Sequence, residues 1–157
     1  MDRRHFVKIM AAAGLATAAG AGTASAATSS AKGKIVVVGG GAAGISTAAK
    51  LLRRLENPDI TIIDPSDLHY YQPGFTLIAG GVYGTDDVYK KQADCIPDGA
   101  KWIKDTVIEV DPEKNKVVTS KNGTIDYDFL VLAPGLQINW GGVEGISREK
   151  LGEVSVL

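Results

Sequence analysis

Within VVVGGGAAGISTA three glycines stand at the spacing Gly39-x-Gly41-x-x-Gly44, and an aspartate, Asp64, lies 20 residues past the last of them. Residues of these types at this spacing can hold a dinucleotide. Gly39 permits a tight turn, Gly41 leaves no Cβ between backbone and a diphosphate, and Gly44 lets a helix approach the preceding strand. Ala42 and Ala43 fall in the first turn of that helix, whose unpaired N–H groups and partial positive charge suit phosphate oxygens. The Asp64 carboxylate suits the 2′- and 3′-hydroxyls of a ribose and repels a 2′-phosphate, which disfavours NADP. Pro65 follows it directly and is assigned to the same site. These residues do not separate FAD from NAD, because both carry the ADP half.

The motif depends on its flanking elements. KIVVV (residues 34–38) is a continuous β-branched run, the pattern of a strand buried on both faces in a parallel sheet. After the glycines, Ile45, Ala48, Leu51, Leu52 and Leu55 recur at helical spacing, and Asn57-Pro58 is expected to end that helix. DITIID (59–64) reads as a second strand closed by Pro65, so residues 34–64 form a βαβ unit. Residues 75–79 suit a short helix ended by Gly80-Gly81, and TDDVYKKQADCIPDGA suits a loop with at most one helical turn. KWIKDTVIEVD (101–111) reads as one or two strands. An antiparallel meander is expected from about Thr106 to Asp126, with turns at Asp111-Pro112 and Asn122-Gly123. FLVLA (129–133) reads as a buried strand rejoining the parallel sheet. The fold class is therefore α/β, a Rossmann-like βαβ domain with a parallel sheet and an antiparallel β-meander.

The 157 residues suffice for about one domain, and a formal charge of −1 gives no reason to expect nucleic acid as a partner. Cys95 is the single cysteine, so no internal disulfide can form. The N-terminus reads as a separate object. Arg3, Arg4 and Lys8 precede an apolar stretch rich in Ala and Gly (residues 9–22), and Ala24-Ser25-Ala26 supplies small residues for a signal peptidase. That stretch as a helix reaches about 21 Å, short of a hydrocarbon core of about 30 Å. Residues 1–26 are expected to be a cleaved export signal, 27–33 a linker, 34–147 the folded unit and 148–157 a truncated tail. Cleavage would remove three basic residues and one acidic one, moving the charge from −1 to −3.

DRRHFVK resembles the twin-arginine transport signal, with Asp2 and Val7 in place of the usual residues. That route carries folded proteins, so a cofactor can be loaded before export, and the expected location is the periplasmic side of the cytoplasmic membrane. Export of a reporter fusion should fail when Arg3→Lys and Arg4→Lys are combined; undiminished export would rule the route out.

GTIDYDFLVLAPG (123–135) resembles a second signature of flavoproteins with two dinucleotide domains, with Thr124, Tyr127-Asp128 and Ala133-Pro134-Gly135 in the matching places and Pro134 where Thr is commoner. Paired with the first motif it favours FAD. HYYQPGFTLIAGG (69–81), CIPDGAKWIKDTVIEVDPEKNKV and YDFLVLAPGLQINW closely resemble sulfide:quinone oxidoreductases over essentially residues 34–146. The likeness to the flavoprotein subunit of flavocytochrome c sulfide dehydrogenase and to type II NADH dehydrogenases is looser. The resemblance implies FAD as cofactor, with Gln72, Pro73 and Gly74 near the flavin ring and the backbone around Val107 at the adenine. It implies sulfide and quinone as reactants of the full-length family, and membrane contact only through a C-terminal region beyond this chain. The family's two redox cysteines match nothing here; Cys95 is assigned a structural or incidental role, and the chain reads as an incomplete FAD domain, a fragment or a remnant of a split gene. Tyr70, Tyr71 and Phe75 are expected to pack in the core, as are Trp102 and Trp140, and His69 to be a surface or hydrogen-bonding residue.

Overall fold

The computed structural model describes residues 29–30 and 32–145; the export signal and the tail expected from the sequence lie outside them. Four parallel strands form the central sheet in the order β5-β2-β1-β9: β1 (Lys34–Val38), β2 (Asp59–Ile63), β5 (Ala100–Ile103) and β9 (Phe129–Leu132). β1 lies between β2 and β9, with Val36 opposite Thr61 on one side and Leu130 on the other. Its three central residues are buried, as the unbroken β-branched run requires.

Alternation along the strands sorts the core into two layers. Ile35, Val37, Ile60 and Ile62 face helix α1 (Ala42–Arg54), whose Ala48 is fully buried and whose Leu51 and Leu52 pack alongside. Val36 and Ile63 face the opposite way and meet Val117 and Tyr127. Those two belong to the meander side, built from β6 (Val107–Asp111), β7 (Lys116–Thr119) and β8 (Gly123–Asp126). The result is helix, parallel sheet and meander in three layers, each buried Ile or Val contributing about 1.5–3 kcal/mol. α1 ends at Arg54 with Leu55 as its C-cap, short of the expected Asn57-Pro58 stop, and Arg53 and Arg54 in its last turn complement the helix dipole.

KWIKDTVIEVD divides into two strands in different sheets, β5 and β6, and the residue at the break is Asp105. Asp105 is buried and accepts hydrogen bonds from the backbone of Thr106, Lys121 and Asn122 and from the side chains of Ser120 and Asn122. It thereby ties the start of β6 to the β7–β8 turn. Burial by itself would raise the carboxyl's pKa; the hydrogen bonds from Ser120, Asn122, Lys121 and Thr106 outweigh it and hold the group well below the usual carboxylate range. A carboxyl lowered on folding stabilises above its unfolded pKa of about 3.9 and loses that contribution as pH falls toward the folded value. Asp105→Ala is expected to lower the urea midpoint at pH 7 by about 1 M and to flatten the acid limb below about pH 4; an unchanged midpoint would rule this anchor out.

Two expectations are corrected. β9 is an edge strand and not a buried one: it pairs with β1, no described strand lies on its other side, and Phe129 and Leu132 are 60% and 61% exposed. The segment expected as loop after residue 84 contains β4 (Tyr89–Lys91), which pairs antiparallel with β3 (Leu68–Tyr70) in a two-stranded ribbon, followed by the short helix α3 (Gln92–Cys95). Between the ribbon's strands lies α2 (Phe75–Ala79), at the expected position. Among the described residues no helix is long and apolar enough to cross a membrane.

Candidate functional site

The chain runs outward from β1 through β2 to β5 and then returns to the other side of β1 with β9. Such a reversal leaves a crevice at the carboxyl ends of the strands, where ligands of open α/β sheets bind. Here Gly39, Asp64 and Ala133 follow the carboxyl ends of β1, β2 and β9 directly.

Each motif glycine meets a different constraint. Gly39 has φ +102°, and a Cβ on it would lie 2.1 Å from the Ala133 carbonyl oxygen. A Cβ on Gly44 would lie 1.9 Å from the Gly39 carbonyl oxygen. These two are glycines of packing. A Cβ on Gly41 would meet nothing within 4 Å, so the backbone there is open to an approaching ligand. Gly41 is the N-cap of α1; no side chain caps the helix, and no acidic residue lies in its first turn. Among the described residues no side chain takes the N–H groups at the start of α1, which with their partial positive charge suit an anion.

The Asp64 carboxylate accepts a hydrogen bond from the Gly40 N–H at 2.7 Å and from the Ser66 N–H at 2.8 Å, one on each oxygen. Each oxygen retains a lone pair for a ribose hydroxyl. The indole Nε1–H of Trp102 donates to the Asp64 carbonyl at 3.0 Å, which steadies the backbone from β5; Trp102 therefore does more than pack.

A cleft of about 570 Å3 opens over these groups, within the range of small-molecule sites. Of the residues singled out from the sequence, Gly41, Ala42, Ala43 and Asp64 line its floor, Gln72 and Pro73 one flank, and Ala133 and Gly135 the β9 side. Gly39 and Gly44 shape the turn from beneath. Pro65 and Pro134 are exposed beside the cleft and do not line it, and Val107 packs into the meander-side core. Tyr70 and Tyr71 also line the cleft, 49% and 58% exposed, which corrects their expected burial. The ribbon is a two-stranded sheet of its own, and among the described residues Tyr70 has Phe75 and Tyr89 as ring neighbours, at 6.4 and 6.1 Å. His69 is a hydrogen-bonding residue, as expected, with Nδ1 3.3 Å from the Gly40 carbonyl oxygen. Gln92 and Ser66 were not legible as site residues: Gln92 lies 52 positions from the glycine it contacts, inside a polar stretch with no motif. Among the described residues no cluster of His, Cys, Asp and Glu could hold a metal ion.

An uncapped helix start, a bare glycine and a carboxylate at the next strand's tip fit the ADP half of a dinucleotide. Residues 33–156 match the pyridine nucleotide-disulphide oxidoreductase family. The chain belongs to that family. Within it, the chain is 47% identical over 124 residues to the mitochondrial sulfide:quinone oxidoreductase of Dictyostelium discoideum, covering 78% of this chain and 27% of that protein. It is 32% identical over 116 residues to the type II NADH:quinone oxidoreductase of Staphylococcus haemolyticus, covering 72% of this chain and 29% of that one. The solved structure of the Aquifex aeolicus sulfide:quinone oxidoreductase superposes with a TM-score of 0.63 at 32% identity, covering 71% of this chain and 26% of that one. The chain thus spans little more than a quarter of the length of these relatives. The α/β architecture expected from the sequence is that of the family.

Proposed function

We propose that this chain is the FAD-binding N-terminal portion of a flavoprotein that takes electrons from sulfide and passes them to a quinone. The observation that carries the reading is the meeting of Gly41, the Asp64 carboxylate and the Gln72-Pro73 flank in one cleft, in a chain 47% identical to a sulfide:quinone oxidoreductase. FAD held there would supply a two-electron acceptor. The chain's part is to hold and orient it. The N–H groups at Gly41, Ala42 and Ala43 would take the diphosphate, with Ala133, Pro134 and Gly135 bordering it from β9. Asp64, backed by Pro65, would take the ribose hydroxyls, and the backbone around Val107 would meet the adenine. Gln72 and Pro73 would border the isoalloxazine, Pro73 stiffening the backbone there.

No thiol of this chain is in place to carry sulfur, because Cys95 is its one cysteine and does not line the cleft. The redox cysteines of such an enzyme must then come from polypeptide beyond this chain, and the chain alone is expected to be catalytically silent. Titration of the purified chain with FAD, followed by flavin fluorescence, should show binding at about micromolar affinity or weaker. Tight NADP binding with none of FAD would overturn the cofactor assignment. A second reading, a type II NADH:quinone oxidoreductase, is favoured by the 32% identity to the staphylococcal protein. It differs in the electron donor, and the HYYQPGF segment supports sulfide.

A further inference from the structure

Gly40 is the one glycine of the GGG run that the dinucleotide motif does not require. In the fold its peptide groups are held from two sides. Its N–H donates to Asp64 Oδ2 at 2.7 Å, and its carbonyl accepts from Gln92 Nε2 at 2.7 Å with His69 Nδ1 at 3.3 Å from the same oxygen. A Cβ on Gly40 would lie 2.2 Å from Gln92 Nε2 and 3.0 Å from the Asp64 Cβ, so the glycine makes room for this convergence. Gln92 is 1% exposed, although Lys91 before it and Ala93 after it are exposed. A glutamine is rarely buried so completely unless its amide has a specific partner.

Both groups reach Gly40 from the β3–β4 ribbon. His69 lies on β3 opposite Lys90, and Gln92 follows β4 two residues after Lys90, the spacing that returns a side chain to the same face. The Gln92 N–H also donates to the Asp67 carbonyl at 2.8 Å, which fixes its backbone to the segment leaving β2.

We infer that Gln92 is a positioning residue for the diphosphate turn: with His69 it pins the Gly40 carbonyl and so sets the Gly40–Gly41 peptide before the cofactor arrives. The inference deepens the FAD reading above and rests on it. Because a trans peptide is planar, fixing the Gly40 carbonyl fixes the Gly41 N–H in the opposite direction. A Gly-Gly pair is otherwise the most mobile dipeptide a chain can carry, and binding would have to order it. An amide suits the task and a carboxylate does not. In the variant Gln92→Glu, an ionised side chain would set oxygen against oxygen and stand beside Asp64, whereas a protonated one could donate as the amide does.

FAD affinity of the full chain is compared for wild type, Gln92→Met and Gln92→Glu between pH 5.5 and 8, with thermal midpoints measured in parallel. Asp64 and His69 are the ionisable groups that face Gly40, so each variant is read as a ratio to wild type at the same pH. Gln92→Met should weaken FAD binding about tenfold at every pH. Gln92→Glu should show the same loss at pH 8 and recover to within about threefold of wild type at pH 5.5, as the carboxyl takes up a proton. Should Gln92→Met fail to fold, the pH profile of Gln92→Glu decides alone. Variants that bind FAD like wild type, or a Gln92→Glu ratio that does not move with pH, would overturn the positioning role and leave the FAD reading standing. A wild-type chain that binds no FAD would overturn both.

Discussion

Gly44→Ala is expected to cost the fold about 3 kcal/mol or more, out of the roughly 5–15 kcal/mol that holds a domain of this size. The new methyl would lie 1.9 Å from the Gly39 carbonyl oxygen and 3.3 Å from Val37 Cγ1. Neither neighbour can yield cheaply. Gly39 is wedged against Ala133, its N–H is tied to the Ile63 carbonyl at 2.9 Å, and Val37 is fully buried in the helix-side core. Relief therefore requires α1 to lift from the sheet, which uncovers Ala48 and loosens Leu51 and Leu52 from Ile35 and Ile60. The measurement is urea unfolding followed by far-UV circular dichroism. A loss below about 1 kcal/mol would mean that the close helix–strand approach is not what Gly44 provides.

The same contrast shows how much of the molecule was legible in its residues. Strands whose residues match their burial were readable: the β-branched run of β1 follows directly from both its faces being covered, and the meander was marked by its turn residues Asp111-Pro112 and Asn122-Gly123. The site's floor was readable too, because the glycines, the helix start and Asp64 are linked through local chain geometry over some 25 residues. Contacts made at long range were hidden. Gln92 acquires its role from a ribbon whose two strands are three residues each, too short to show a period, and Asp105 from a turn 15 residues away. Tyr70 and Tyr71 were misjudged because aromatic side chains signal burial by composition, while the open cleft that these two line leaves them exposed. β9 was misjudged for a related reason: an apolar strand has the same sequence whether or not a neighbour covers it.

Gly41→Asp is expected to move stability and binding in opposite directions. Gly41 sits at φ −71° and ψ −177°, extended backbone that any residue adopts, and a side chain there meets nothing within 4 Å. Aspartate is among the best N-caps, and this helix has no capping side chain and no acid in its first turn. The substitution should therefore raise stability by a few tenths of a kcal/mol, through a hydrogen bond to the free first-turn N–H groups and a favourable charge at the positive end of the dipole. Those N–H groups are the ones assigned to the diphosphate. The new carboxylate would occupy them and repel the ligand's own negative charge, so FAD affinity should fall at least about 100-fold, or about 2.7 kcal/mol. Thermal unfolding and flavin titration on the same sample read both effects. Simple damage to the fold would lower stability and binding together. A stabilised variant that still binds FAD tightly would place the diphosphate somewhere other than the start of α1, and the open, uncapped glycine would then need a different explanation.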